Sequence, residues 1–469
     1  MMVHRLLAVL LIAAVLPARA PAQRASPFHS AGWHPRDVPW PGRIVLDVDA
    51  SDVEHGIFHV RESIPVTRAG RLTLLFPTWV PGNHAPTARI DRLAGLLMRA
   101  GGKRLSWVRD PVDMHAFHVD VPAGAQAIDV EFDYLSATRA ADGRVVMTPE
   151  MLNLQWFSLV LHPAGYYARR ITVEPRVRIP DGWQLTTQLD VGSRDGSAIR
   201  FEPVSLEVLI DSPIFAGRYF RRFDLGTLDG APATLDVVAD APRYLDASPG
   251  AIDAHRRLVA EGGRLFGQPP FRRYAFMLGL TREMGDIGTE HLASSENTRA
   301  PEYLSDWRGN ALLAHELSHA WNGKARRPRD LWTPDFNLPM QDSMLWLYEG
   351  QTLFWGFVLA ARSGFMAPDE VMDVFARLAA YHAHQPGRDW RPLIDTGNDA
   401  LRSTIVGTWS RRWRECSHST GLGSSAHVST APHRRRQRSG CAAPATGSSS
   451  PTHRRRRSRR TSSERTVSI

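Results

Sequence analysis

Ala314-His315-Glu316-Leu317-Ser318-His319-Ala320-Trp321-Asn322 is the stretch on which the reading of this chain turns. A helix is expected over about 308–322, stopped at Asn322-Gly323. Residues four apart on a helix leave the same face, so the imidazoles of His315 and His319 can meet one metal ion. Glu316 follows the first histidine directly, where its carboxylate can reach a water held by such an ion. The bland reading of the same residues is two surface histidines on an amphipathic helix.

The next helix, expected over about 342–363 and ended by Gly364, carries Glu349 inside Met344-Leu345-Trp346-Leu347-Tyr348-Glu349-Gly350. A lone carboxylate buried among such residues costs several kcal/mol or takes up a proton, and a divalent cation removes that cost. The alternative is an exposed acid on the polar face of its helix. Both cysteines, Cys416 and Cys441, lie near the carboxyl end, so a metal held in the body of the chain needs His, Asp or Glu. Two His and one Glu leave a fourth position for water, as hydrolytic zinc sites do. His382 and His384 are spaced for no such site and read as solvent-facing.

Upstream, residues 42–213 have period two. Ile44, Leu46 and Val48 alternate with polar or outward positions, as do Phe117, Val119 and Val121, and Ile128, Val130, Phe132 and Tyr134. This is the pattern of antiparallel sheets with one wet face, punctuated by Gly, Pro and Asp turns. After Pro213 the character changes. Residues 214–245 still read as strands, Ser248-Pro249 reads as a helix cap, and Gly267 as that helix's end. Tyr274–Leu280 reads as a further strand. The expected fold is α+β: an antiparallel β-sandwich-like domain over 24–213, then a mixed and increasingly helical domain over 214–407.

The net charge of +9 is not spread over the 469 residues. Residues 408–469 hold 14 Arg, no Lys and 2 Glu, a balance of +12, which leaves the rest at −3. A specific nucleic-acid binder is therefore not expected, since the basic excess sits in one tail without interleaved aromatic residues. That tail has too few large apolar residues to offset the entropy of ordering, so it is expected to be disordered. With 55 Arg and 2 Lys in the whole chain, it reads as an out-of-frame translation of a GC-rich sequence. At the other end, basic Met1–Arg5, apolar Leu6–Leu16 and Ala18-Arg19-Ala20 have the layout of a cleaved signal peptide over 1–23. Export to the periplasm or beyond is expected, with no transmembrane segment after cleavage.

His315–Asn322, the basic run Lys324-Ala325-Arg326-Arg327-Pro328 and Leu345-Trp346-Leu347-Tyr348-Glu349-Gly350 together resemble the glycyl aminopeptidase family of gluzincin metallopeptidases. Pro77-Thr78-Trp79-Val80-Pro81-Gly82 resembles that family's Trp-x-Pro-Gly signature. Gly288-Thr289-Glu290-His291 resembles its Gly-Gly-Leu-Glu-His segment. The resemblance spans about residues 43–407. It implies a thermolysin-like catalytic domain behind the β domain, with one Zn2+ held by His315, His319 and Glu349. It further implies Glu316 as general base and Glu290 as the group that binds the α-amino end of a peptide substrate. Here Glu290 competes with a nearby acid, Glu296, and with the reading of an acid bonded to its own loop. His291 has no assigned role. The family's downstream tyrosine, expected at the oxyanion, has no counterpart, because Tyr381 is the last tyrosine. Losing one such donor costs on the order of 10²–10³ in turnover, so weak or absent activity is expected of this form. The alternative is a non-catalytic, zinc-containing peptide-binding or scaffold protein.

Overall fold

The computed structural model describes residues 34–398, except Pro81, Ala140, Ala141 and Asp286. The signal-peptide and tail expectations lie outside the described residues. Every described residue belongs to one compact unit.

The alternating segments become strands whose apolar residues point inward. Arg43–Asp49 buries Ile44, Leu46 and Val48, and Ala127–Leu135 buries Ile128, Val130, Phe132 and Tyr134. Both belong to a nine-stranded sheet whose central order is Thr172–Arg178, Arg43–Asp49, Ile57–Pro65, Ala127–Leu135, Leu93–Ala100. Its pairings are antiparallel save one: Arg43–Asp49 runs parallel to Thr172–Arg178. Two four-stranded sheets complete the region. One holds Gly70–Leu75 and Ala116–Val121, the other Met151–Leu154 and Ile214–Gly217. The inward residues of all three sheets share one apolar core. The α+β expectation, with antiparallel sheets first and helices later, matches this architecture.

A second core lies under a five-stranded mixed sheet, ordered Tyr219–Leu228, Ala231–Ala239, Tyr274–Leu280, Ser294–Arg299, Gly288–Glu290. The three middle strands run parallel and are almost wholly buried. The short edge strand Gly288–Glu290 pairs antiparallel with Ser294–Arg299. The helix Ala251–Phe266 starts later than Ser248-Pro249 suggests. Gly250, at φ +80°, takes the cap position, while the Ser248 carbonyl accepts the Ala251 N–H. Gly267 ends it as expected.

The two functional helices also differ from their sequence spans. The first covers only Leu312–His319, opened by the Asn310 side chain accepting from the Leu312 N–H. Beyond His319 the chain widens into i→i+5 bonds, Lys324 N–H to His319 O and Ala325 N–H to Ala320 O. The second begins with a tight turn at Asp342–Met344, passes through a π-helical turn at Trp346–Gly350, and is α-helical only over Gln351–Ser363. Gly364, at φ +84°, closes it. Among the described residues, no helix is long and apolar enough to cross a membrane.

Candidate metal centre

Gly356 lets the two functional helices touch. A β-carbon there would stand 3.0 Å from both Cα and Cβ of His315, tighter than almost all packed β-carbons, so the helices would have to shift apart by a few tenths of an ångström. This close approach lays the π-helical turn, with Tyr348 and Glu349, against the histidine face of Leu312–His319. A π-turn widens the helix locally and is found mostly at functional sites.

Three donor atoms converge there. His315 Nε2 and His319 Nε2 are 3.0 Å apart, and Glu349 Oε2 is 3.4 Å from each. Ligands at the usual zinc distances in a tetrahedron stand about 3.3 Å from one another, so the triangle has the right size for one ion. The tautomer suits it too. His319 Nδ1 lies 3.1 Å from the Asn322 carbonyl, and an N–H there leaves the Nε2 lone pair facing the triangle. Asn322 in turn donates to the Leu347 carbonyl and to Thr352 Oγ1, fixing the loop against the second helix.

His315, Glu316 and His319 also cluster closely enough to share an ion. Glu316 is buried beneath the edge strand, where a β-carbon on Gly288 would collide with its carboxylate, so a larger residue there would have to displace Glu316. Its Oε2 is buried with no hydrogen-bond partner among the described residues. Burial, joined by the negative charges of Glu290 and Glu349, pushes its pKa well above the usual carboxylate range. Glu349 behaves oppositely. Burial works to raise its pKa, but the neighbouring His319 and bonds from His315, His319 and His84 outweigh it and hold the carboxyl well below its ordinary value. Glu349 is also less enclosed than its apolar neighbours suggest. Its side chain is 36% exposed, and the nearby Trp346 is exposed as well.

Glu290 ends the edge strand, buried, and accepts a hydrogen bond of 2.5 Å from the Tyr348 hydroxyl. Its competitor Glu296 faces elsewhere: fully buried, it is bonded by the amides of Asn153 and Gln155. His291 stands 3.2 Å from Asp211, which also pairs with Lys324 at 2.5 Å. Trp321 is core, stacked on Phe266, and His382 and His384 are exposed. Thus the structure places all five candidate residues near one another, with Glu290 joined to the group through Tyr348. His84 and Tyr348 sit among them without having been singled out from the sequence. Tyr348 lay inside a quoted motif, but His84 carried no signal beyond following the Trp-x-Pro-Gly signature.

Two family models match the chain: the peptidase M61 N-terminal domain over residues 45–218, and the M61 glycyl aminopeptidase over residues 308–422. The chain belongs to the M61 peptidase family. The second M61 match includes the paired histidines, Glu316 and Glu349, and extends to residue 422, past the composition break at 407.

Among solved structures, an aminopeptidase N family protein from Idiomarina loihiensis is 19% identical with a TM-score of 0.58. The match covers 68% of the M61 chain, which spans 55% of the Idiomarina protein's length. At that identity the likeness is one of fold. An M1 zinc metallopeptidase variant from Deinococcus radiodurans, bound to Tyr-Ser-Ala, is 15% identical with a TM-score of 0.45, covering 73% of this chain and 75% of its own. No curated protein matches the sequence.

Proposed function

We propose that this M61 protein is a zinc-dependent aminopeptidase that removes small amino-terminal residues such as Gly from peptides. The observation that carries this is the triangle of His315 Nε2, His319 Nε2 and Glu349 Oε2, with sides of 3.0 and 3.4 Å. These three residues would hold the zinc. When bound, zinc polarises the scissile carbonyl and lowers the pKa of a coordinated water toward about 7. Glu316 Oε2, buried and without a partner among the described residues, would take the proton from the attacking water and return it to the leaving amine. Glu290, on the edge strand beside the triangle, would pair with the substrate's ammonium group. An acid holding the amino end of the substrate there would limit removal to a single residue.

Zinc stoichiometry and turnover of a glycyl fluorogenic substrate, with and without chelator, test the reading. Cleavage of free but not acetylated peptides is expected; equal cleavage of both would remove amine recognition. Bound zinc without chelator-sensitive hydrolysis would instead favour a peptide-binding protein that keeps the zinc helix. The basic, apolar and small-residue layout of residues 1–23 supports export to the periplasm or the medium. Sequencing the amino terminus of the mature protein checks it.

A further inference from the structure

The loop carrying Asn83 and His84 reaches the centre from the β-rich region, 265 residues before Glu349 in sequence. His84 Nε2 lies 2.8 Å from Glu349 Oε1, whereas Oε2 is the oxygen 3.4 Å from each histidine of the pair. Its ring packs edge-on against Tyr348, with centroids 4.7 Å apart, and its side chain is only 11% exposed. Nδ1 is buried and has no hydrogen-bond partner among the described residues, so the ring's polar contact there is with Glu349 alone. The backbone is held for this purpose at some expense. His84 has φ +51°, in the left-handed region that costs a residue with a β-carbon roughly 1–2 kcal/mol. Such conformations persist where the surroundings fix them and gather at functional sites.

A glutamate's terminal torsion is soft and nearly two-fold, so an untethered carboxylate swings its oxygens freely. A donor on Oε1 removes that freedom and keeps Oε2 turned to both imidazoles. We propose that His84 is a positioning residue for the metal centre: its Nε2–H fixes the Glu349 carboxylate, so that the β-rich region completes the zinc site. The inference rests on the zinc reading above. A hydrogen-bonded partner of a metal ligand is typically worth 10–100-fold in metal affinity.

The test is zinc affinity of the full chain, measured by chelator competition without any substrate. His84→Phe keeps a ring against Tyr348 but has no donor, whereas His84→Gln can return an N–H to Oε1. The expected result is a 10–100-fold loss of zinc affinity in His84→Phe and recovery of most of it in His84→Gln. Unaltered affinity in His84→Phe overturns the proposal, as does an equal loss in both variants. If His84→Phe does not fold, His84→Met against His84→Gln makes the same comparison without a ring. Failure of the unaltered chain to bind zinc sinks the metal reading and this one together. Tight zinc binding by the unaltered chain and His84→Phe alike sinks this one alone.

Discussion

Tyr348 donates its hydroxyl to Glu290 at 2.5 Å, linking the residue just before a candidate zinc ligand to the acid at the end of the edge strand. Both Tyr348 and Glu349 lie in the π-helical turn, where Tyr348 reaches Glu290 and Glu349 reaches the paired histidines. In Tyr348→Phe, Glu290 loses its donor while the ring remains against His84 and His319. A hydrogen bond to a charged group is worth about 1.5–3 kcal/mol. KM for free-amine substrates should therefore change by roughly 10-fold or more, with a smaller effect on kcat. Steady-state kinetics on glycyl substrates check this, and identical KM values would separate Glu290 from amine binding.

Glu316→Gln keeps the size of the side chain under Gly288 but cannot accept a proton. Zinc content should stay at that of the unaltered protein, while turnover falls by about 10²–10⁴. Metal analysis beside single-turnover kinetics reads both quantities. Retained turnover would take Glu316 out of the chemistry.

Gly356→Val tests the helix contact that assembles the centre. The new side chain would meet the His315 backbone, which cannot swing aside as a side-chain tip could. Overpacking of this kind costs typically 1–3 kcal/mol, and the better helix propensity of valine offsets only a fraction of it. Denaturant midpoints should fall and zinc should bind more weakly. A variant as stable as the parent would mean that the helices can move apart without penalty.

Acid should destabilise the fold through His255, which is not among the candidate site residues. This residue is fully buried, with Nδ1 2.8 Å from the Ala251 carbonyl and Nε2 3.2 Å from the Tyr303 hydroxyl. Burial pushes its pKa down to about 4. The unfolded chain, near the ordinary 6.5, takes up the proton first. The stabilising contribution is thus whole above pH 6.5 and disappears as pH falls from there to about 4. The loss is on the order of 3 kcal/mol. Denaturant titrations between pH 7.5 and 4 would show the slope, and His255→Phe should flatten part of it.

Much of the fold was legible because its signals are local. Alternation in Ile44–Val48 and Ile128–Tyr134 can face only one core, and Gly267 and Gly364 end helices for steric reasons that need no context. Helix beginnings were harder. Ser248 looks like a cap, but the neighbouring Gly250 takes the left-handed turn instead, and Asn310 opens the motif helix two residues ahead of its first turn. The π-helical turn at Trp346–Gly350 has the composition of any apolar helix, and no local pattern in the sequence marks its wider turn.

The sequence by itself determined that His315, Glu316 and His319 share one helical turn, since a spacing of four fixes direction through backbone geometry alone. It also determined that no thiolate could serve a metal in the described region. Tertiary structure alone decided which oxygen of Glu349 meets the two imidazoles, that Tyr348 rather than backbone groups engages Glu290, and that His84 arrives from the β-rich region. Those contacts join residues tens to hundreds of positions apart. Their distances follow from how whole sheets and helices pack, and no local pattern in the chain encodes that.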